Sequence, residues 1–180
     1  MKKPIIAGLI LALFLLSTTF TAASDCQVQP KEQITITTFG MGSGGTITQI
    51  GNSNLLLTKG EGYTAFFIEV DIGTNPAIFP DPVLLTSSTD SILNTISGVG
   101  IDRLTETIVF ADGSTLVINA NEHFSGCLPP YTSFKGSGVF EGYGTGSLSG
   151  VEFRGTTSFY ISMTQGMVNT LSGTVVGWPT

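Results

Sequence analysis

Short β-prone runs, each closed by glycine or a turn residue, recur along this chain, and after residue 24 no stretch carries the apolar period of an amphipathic helix. That pattern restricts the chain to an all-β fold, because strands bury alternate side chains whereas helices need apolar residues three and four apart. Residues 33–39 (QITITTF) put Ile34, Ile36 and Thr38 on one face, and 44–50 (GGTITQI) form a second short run. Residues 55–58 follow a Gly51-Asn52 turn, and 63–72 (YTAFFIEVDI) are the longest aromatic and branched run. That run alternates around Phe67, Glu69 and Asp71, so one of its faces meets water or a lumen. Residues 75–82 (NPAIFPDP) carry three prolines and predict a loop, since proline cannot donate to a ladder.

Residues 83–103 admit two readings: Thr89-Asp90 capping one helical turn over SILNTI, or a strand. The plainest local signal follows, with Ala111-Asp112-Gly113 between two β-prone runs. Asp-Gly there predicts a hairpin whose two turn positions both take positive φ. After Cys127-Leu128-Pro129-Pro130, strands are expected over 132–140, 145–153, 155–163 and 168–177. Closely spaced strands joined by tight turns predict a closed antiparallel sheet.

The first residues read Met1-Lys2-Lys3-Pro4, then an apolar run to Phe20, then Thr21-Ala22-Ala23-Ser24. A cationic head, an apolar stretch and small residues make the three parts of a secretory signal peptide. The expected organisation is therefore a signal peptide over 1–24 and one domain over 25–180, secreted or periplasmic, with no membrane span in the mature form. Removing the leader leaves five basic residues against 13 acidic, a net of −8. An acidic surface with scattered cations repels phosphate backbones, so nucleic acid is not an expected partner. Cys26 and Cys127, an even count in an exported chain, are expected to form one disulfide.

Residues 136–150 read GSGVFEGYGTGSLSG. A dinucleotide-binding fingerprint needs a helix after its glycines, and both flanks here are strand-like. Glycines within strands instead let a sheet bend and close. This string resembles the glycine-rich stretch of the allene oxide cyclase and dirigent barrel families and of similar bacterial secreted proteins. The hairpin TIVFADGSTLVI (107–118) resembles the segment before it, and LSGTVVGW (171–178) looks like their closing strand. The resemblance covers roughly 105–178, and more loosely 33–72. It implies a single antiparallel β-barrel of about eight strands, calycin or allene oxide cyclase-like, with an apolar interior. It transfers no catalytic residue.

Chemistry-bearing motifs are few. The one histidine, His123, lies in Asn121-Glu122-His123-Phe124. There is no Gly-x-Ser-x-Gly elbow, no HExxH and no Cys/His cluster, so neither a metal nor a cofactor is expected. Glu69 and Asp71, two apart on one strand, point the same way and, with His123, are the candidate proton-transfer groups. Tyr63, Phe67, Tyr131 and Tyr160 are the candidate ligand contacts at a barrel mouth. Glu141, Glu152 and Arg154 read as an outer cross-strand charge set. Three roles follow: a secreted non-enzymatic barrel binding a small apolar ligand or a partner protein, an envelope-associated structural or adhesive protein, or an isomerase or cyclase of the resembled type. A homo-oligomer is compatible with each. What points into the lumen discriminates among them.

Overall fold

The computed structural model describes residues 31–43, 45–73, 82–126, 132–162 and 164–178. The described residues form one antiparallel sheet: β1 (Glu32–Ser43), β2 (Thr46–Gln49), β3 (Leu55–Ile72), β4 (Pro82–Asn94), β5 (Val99–Phe110), β6 (Thr115–Gly126), β7 (Ser133–Thr145), β8 (Glu152–Ser162) and β9 (Gly166–Val176). Its only helical segment among these residues is a single 3-10 turn, Gly146–Leu148. Each strand pairs with its sequence neighbour from β3 to β9, and β1 pairs with both β9 and β3. The pairings therefore run in a ring of eight strands, with β2 carrying the β1 edge along the outer half of β3.

Alternation decides what faces inward. In β5 the even residues Leu104, Glu106, Ile108 and Phe110 are buried while Arg103 and Thr105 are exposed. Leu116, Ile118, Ala120 and Glu122 do the same in β6, and Met167, Asn169, Leu171 and Val175 in β9. Strand β3 breaks the rule once. Phe39 pairs with Phe67 but Gly40 with Ala65, so the register skips Phe66. That bulge moves the inward set from Ile68, Val70 and Ile72 to Tyr63 and Ala65.

One end of the ring is filled. Ile34, Phe110, Leu116, Val175 and Phe153 meet there, and Leu148 and Val151 from the β7–β8 connection are buried with them. The β5–β6 hairpin closes the same end. Its turn departs from the expected type, because within it Gly113 alone has positive φ (82°), and among the described residues no non-glycine residue does. Asp112 contributes instead through its carboxylate, which accepts the Ser114 N–H (2.9 Å) and hydroxyl (2.6 Å) and the Ser147 hydroxyl (2.6 Å). These bonds tie the hairpin to the 3-10 turn and hold the Asp112 carboxyl down at about 2.

Residues 83–103 resolve as strand: β4 and the start of β5, joined by the turn Thr95–Ser97. The helical-turn reading is overturned there, because Thr89 and Asp90 pair in register with Leu104 and Arg103. The four strands expected from 132 onward are three, since 132–140 runs on to Thr145 and the next strand starts only at Glu152. Residues 55–58 and 63–72 belong to one long strand. Most of the proline-rich loop, Cys26, Cys127 and Tyr131 lie outside the described residues.

Candidate functional site

At mid-height the inward faces carry polar side chains in place of apolar ones. They are Thr38 on β1, Tyr63 on β3, Glu106 on β5, Glu122 on β6, Thr157 on β8 and Asn169 on β9, none more than 4% exposed. Strand β7 contributes Gly138, which pairs with Glu122 on one side and Thr157 on the other. A side chain there has no room, since a Cβ would lie 2.0 Å from the Asn121 carbonyl and 2.7 Å from the Glu122 Cα. With no side chain in between, Thr157 reaches across β7, and its hydroxyl lies 2.7 Å from Glu122 Oε1.

The belt is one connected network. The Thr157 hydroxyl also lies 3.0 Å from Asn169 Oδ1, and Asn169 Nδ2 donates to Glu106 Oε1 at 3.1 Å. The Tyr63 hydroxyl donates to the same Glu106 oxygen, with Thr38 Oγ1 3.1 Å behind it. Proton counting constrains the charge. The three links from Glu122 through Thr157 and Asn169 to Glu106 need three protons. Threonine supplies one, and an amide offers N–H to only one of its two neighbours, whichever way it is turned. The third proton must sit on one of the glutamates.

The electrostatics run the same way. Burial pushes the Glu122 carboxyl up to about 7; the Thr157 hydrogen bond opposes this, and the nearby Glu106 adds to it. Burial also raises Glu106, against the hydrogen bonds from Tyr63 and Asn169. Tyr63 is driven far above its ordinary value by burial and by the neighbouring Glu106. The second oxygens of Glu106 and Glu122 are buried without a hydrogen-bond partner among the described residues.

Beyond the belt the ring opens into a cavity of about 460 Å³. Its walls are mainly apolar, with Met41, Ile47, Leu56, Leu93, Phe124 and Phe134 among them, and Tyr63 and Asp102 supply polar surface. Asp102 pairs across the strands with Glu122, so the cavity wall and the buried network share the β5–β6 face. Phe124 and Phe134 meet edge to face, with centroids 5.8 Å apart.

Of the sequence candidates that lie among the described residues, Tyr63 alone is buried in the interior and lines the cavity. Glu69 and Asp71 are exposed on the outer face opposite Thr37 and Thr35, and His123 is exposed on β6. Phe67 and Tyr160 are brought into one outer row, Phe67–Phe39–Val168–Tyr160, across four neighbouring strands. Glu141 does face Arg154 on the outside. Glu106, Glu122 and Asp102 were missed as candidates. Their signal was parity: each occupies an apolar position of its strand, between residues such as Leu104 and Ile108 or Ala120 and Phe124.

No protein-family model matches this chain, and no curated protein or solved structure matches it significantly. Among the described residues no helix is long and apolar enough to cross a membrane. No group of three His, Cys, Asp or Glu side chains among them is placed to hold a metal ion.

Proposed function

We propose that this chain is an exported, non-enzymatic β-barrel that binds one small, largely apolar molecule in its open end, and that its ring is a barrel of the allene oxide cyclase and dirigent type. The cavity of about 460 Å³ carries the reading. It falls within the roughly 300–1,000 Å³ of small-molecule pockets. An eight-stranded barrel is wide enough to be packed by its own side chains or to hold one small ligand. Here the hairpin end is packed and the opposite end is not. The polar belt gives the cavity an inner wall that can orient a ligand's single polar group. The leader composition of residues 1–24 supports export.

The test is titration with the neutral dye Nile red. Saturable fluorescence enhancement at one site per chain is expected. It should be lost in Leu93→Trp, which fills the cavity, while circular dichroism stays unchanged. Absence of saturable binding, or binding indifferent to Leu93→Trp in a folded variant, overturns the reading. One observation favours a second reading, a cyclase or isomerase. Burial raises the Glu122 carboxyl to about 7 within a buried hydrogen-bond network, where a carboxyl can hold and move a proton. Turnover of an apolar epoxide or ether that vanishes in Glu122→Gln, with dye binding intact, would establish that reading instead.

A further inference from the structure

We propose that the open rim of the ring docks onto a lipid surface of zwitterionic headgroups, with Ile50 and Ile96 entering its apolar boundary. The proposal concerns the surface around the cavity and stands or falls separately from the binding reading above.

The position of the exposed apolar residues is the first argument. Ile50 and Ile96, 39% and 70% exposed, stand on the two turns that join β2 to β3 and β4 to β5 at the open end. Met41, Ile47, Val99 and Ile101 are exposed on the strands beside them. Met41 and Ile47 also line the cavity, so apolar surface continues from the rim into the interior. An exposed apolar patch of this kind marks a contact with another protein or a membrane.

Charge selects between surfaces. The segments joining strands at this end, 44–45, 50–54, 95–98, 127–132 and 163–165, contain no charged residue. The opposite end carries Lys31, Glu32 and Asp112. With five basic residues against 13 acidic after residue 24, the chain is repelled by anionic headgroups. Burial of the rim's apolar side chains is the favourable contribution that remains, and a zwitterionic surface supplies it without that repulsion.

The turns themselves suit a lipid boundary, which penalises backbone groups without partners. The Ile50 N–H donates to the Leu55 carbonyl (2.9 Å), and the Ile50 carbonyl accepts the Ser53 N–H (3.1 Å) and hydroxyl (2.5 Å). In the β4–β5 turn the Asn94 side-chain oxygen accepts the Ile96 and Ser97 N–H groups at 3.0 and 3.1 Å. The Thr95 N–H (2.8 Å) and hydroxyl (3.1 Å) both donate to the Asn54 carbonyl. The two turns are thereby tied together and present their isoleucines as a pair. A protein partner needs a matching face with hydrogen-bonding groups around it, whereas a fluid phase surrounds each tip by itself.

Flotation of the exported chain with phosphatidylcholine vesicles tests the proposal. Binding is expected that is insensitive to salt and no stronger when phosphatidylglycerol replaces half of the lipid. Ile50→Ser/Ile96→Ser should weaken it at least about tenfold. Phe67→Ser/Val139→Ser, exposed on the outer wall, should leave it unchanged. In Ile96→Trp the added emission should be quenched by brominated phosphatidylcholine, while that of Trp178, beyond the far end of β9, is not. Flotation of the unaltered chain and this quenching decide the matter should the double isoleucine variant not fold. No binding to either vesicle, binding to the anionic one alone, or a folded double isoleucine variant that binds like the parent overturns the proposal. So does self-association through the rim without vesicle binding, in which a second copy covers it. Nile red titration without vesicles separates the two readings: a dye site without docking leaves only the binding reading, and docking without a dye site leaves only this one.

Discussion

Replacing Glu122 by glutamine isolates the cost of the buried carboxyl. The folded protein holds this group near 7 against an ordinary 4.5. Below the lower value the carboxyl is protonated in both folded and unfolded chains, and it adds nothing to the pH dependence. As the pH rises, the unfolded chain ionises first, so the folded state is progressively disfavoured until it too loses the proton near 7. Above that the penalty is constant at roughly 3 kcal/mol. Glutamine carries its own N–H toward Thr157 Oγ1, supplying the third proton of the network at every pH. The gap in stability between Glu122→Gln and the parent should open from near zero at about pH 4 to roughly 3 kcal/mol in favour of the variant at about pH 8. Raised Glu106 acts in the same direction in both proteins, so both retain a further decline toward alkaline pH. Urea unfolding followed by Trp178, the single tryptophan and one packed against the core, measures the gap. A gap that does not change with pH, or a parent that gains stability from pH 5 to 8, would refute the reasoning.

Tyr63→Phe removes the hydroxyl from Glu106 Oε1 and should cost about 1–3 kcal/mol in the same melts. Gly138→Ala forces a Cβ to within 2.0 Å of a backbone carbonyl and should cost about 1–3 kcal/mol or prevent folding. Gly42→Ala, whose Cβ would meet only the Gly62 carbonyl at 3.7 Å, should change stability little and is the matched control. The depressed Asp112 carboxyl contributes stability that is present above its ordinary 3.8 and lost as pH falls through about 2. Asp112→Ala should therefore lower the thermal midpoint at neutral pH and flatten its acid dependence in that range. Alkylation of the exported, denatured protein should leave Cys26 and Cys127 unlabelled until a reductant is added; two labelled thiols beforehand would rule out the disulfide.

How far the sequence could be read depended on which physical rule governed each segment. The hairpin at Asp112-Gly113 and the strands flanking it were legible because alternation and turn chemistry are local. Residues 83–103 were not, since their serines and threonines suit a capped turn as well as a strand. Only pairing with both β3 and β5 decides between them. Between 140 and 152 the boundaries slipped because Gly142 and Gly144 look like turn residues. In the structure they are strand positions whose inward space is taken by Phe153 and Leu148. The interior acids were legible in principle. Glu106 shares parity with Leu104, Ile108 and Phe110, and a carboxyl on an apolar face is more informative than one on a mixed face such as Glu69.

The face of Tyr63 could not be read by alternation at all. Strict parity puts Tyr63, Phe67, Glu69 and Asp71 on one side of their strand, and the structure divides them, with Tyr63 buried and the other three exposed. The division occurs at the skipped Phe66. Opposite it stands Gly40, where a Cβ would lie 2.4 Å from the Thr64 carbonyl. Only glycine lets the two backbones approach that closely, so Gly40, the first glycine after an otherwise regular β-prone run, was the available sign of a bulge. The consequence reaches the centre of the molecule. Without the extra residue in β3, the Tyr63 hydroxyl would face solvent, Glu106 would lose its donor from that strand, and the belt would be open between β1 and β5. The bulge at Phe66 thus connects strand register to the charge state of the interior: it brings the phenol to the carboxyl, and with Asn169 that phenol supports whatever negative charge Glu106 carries.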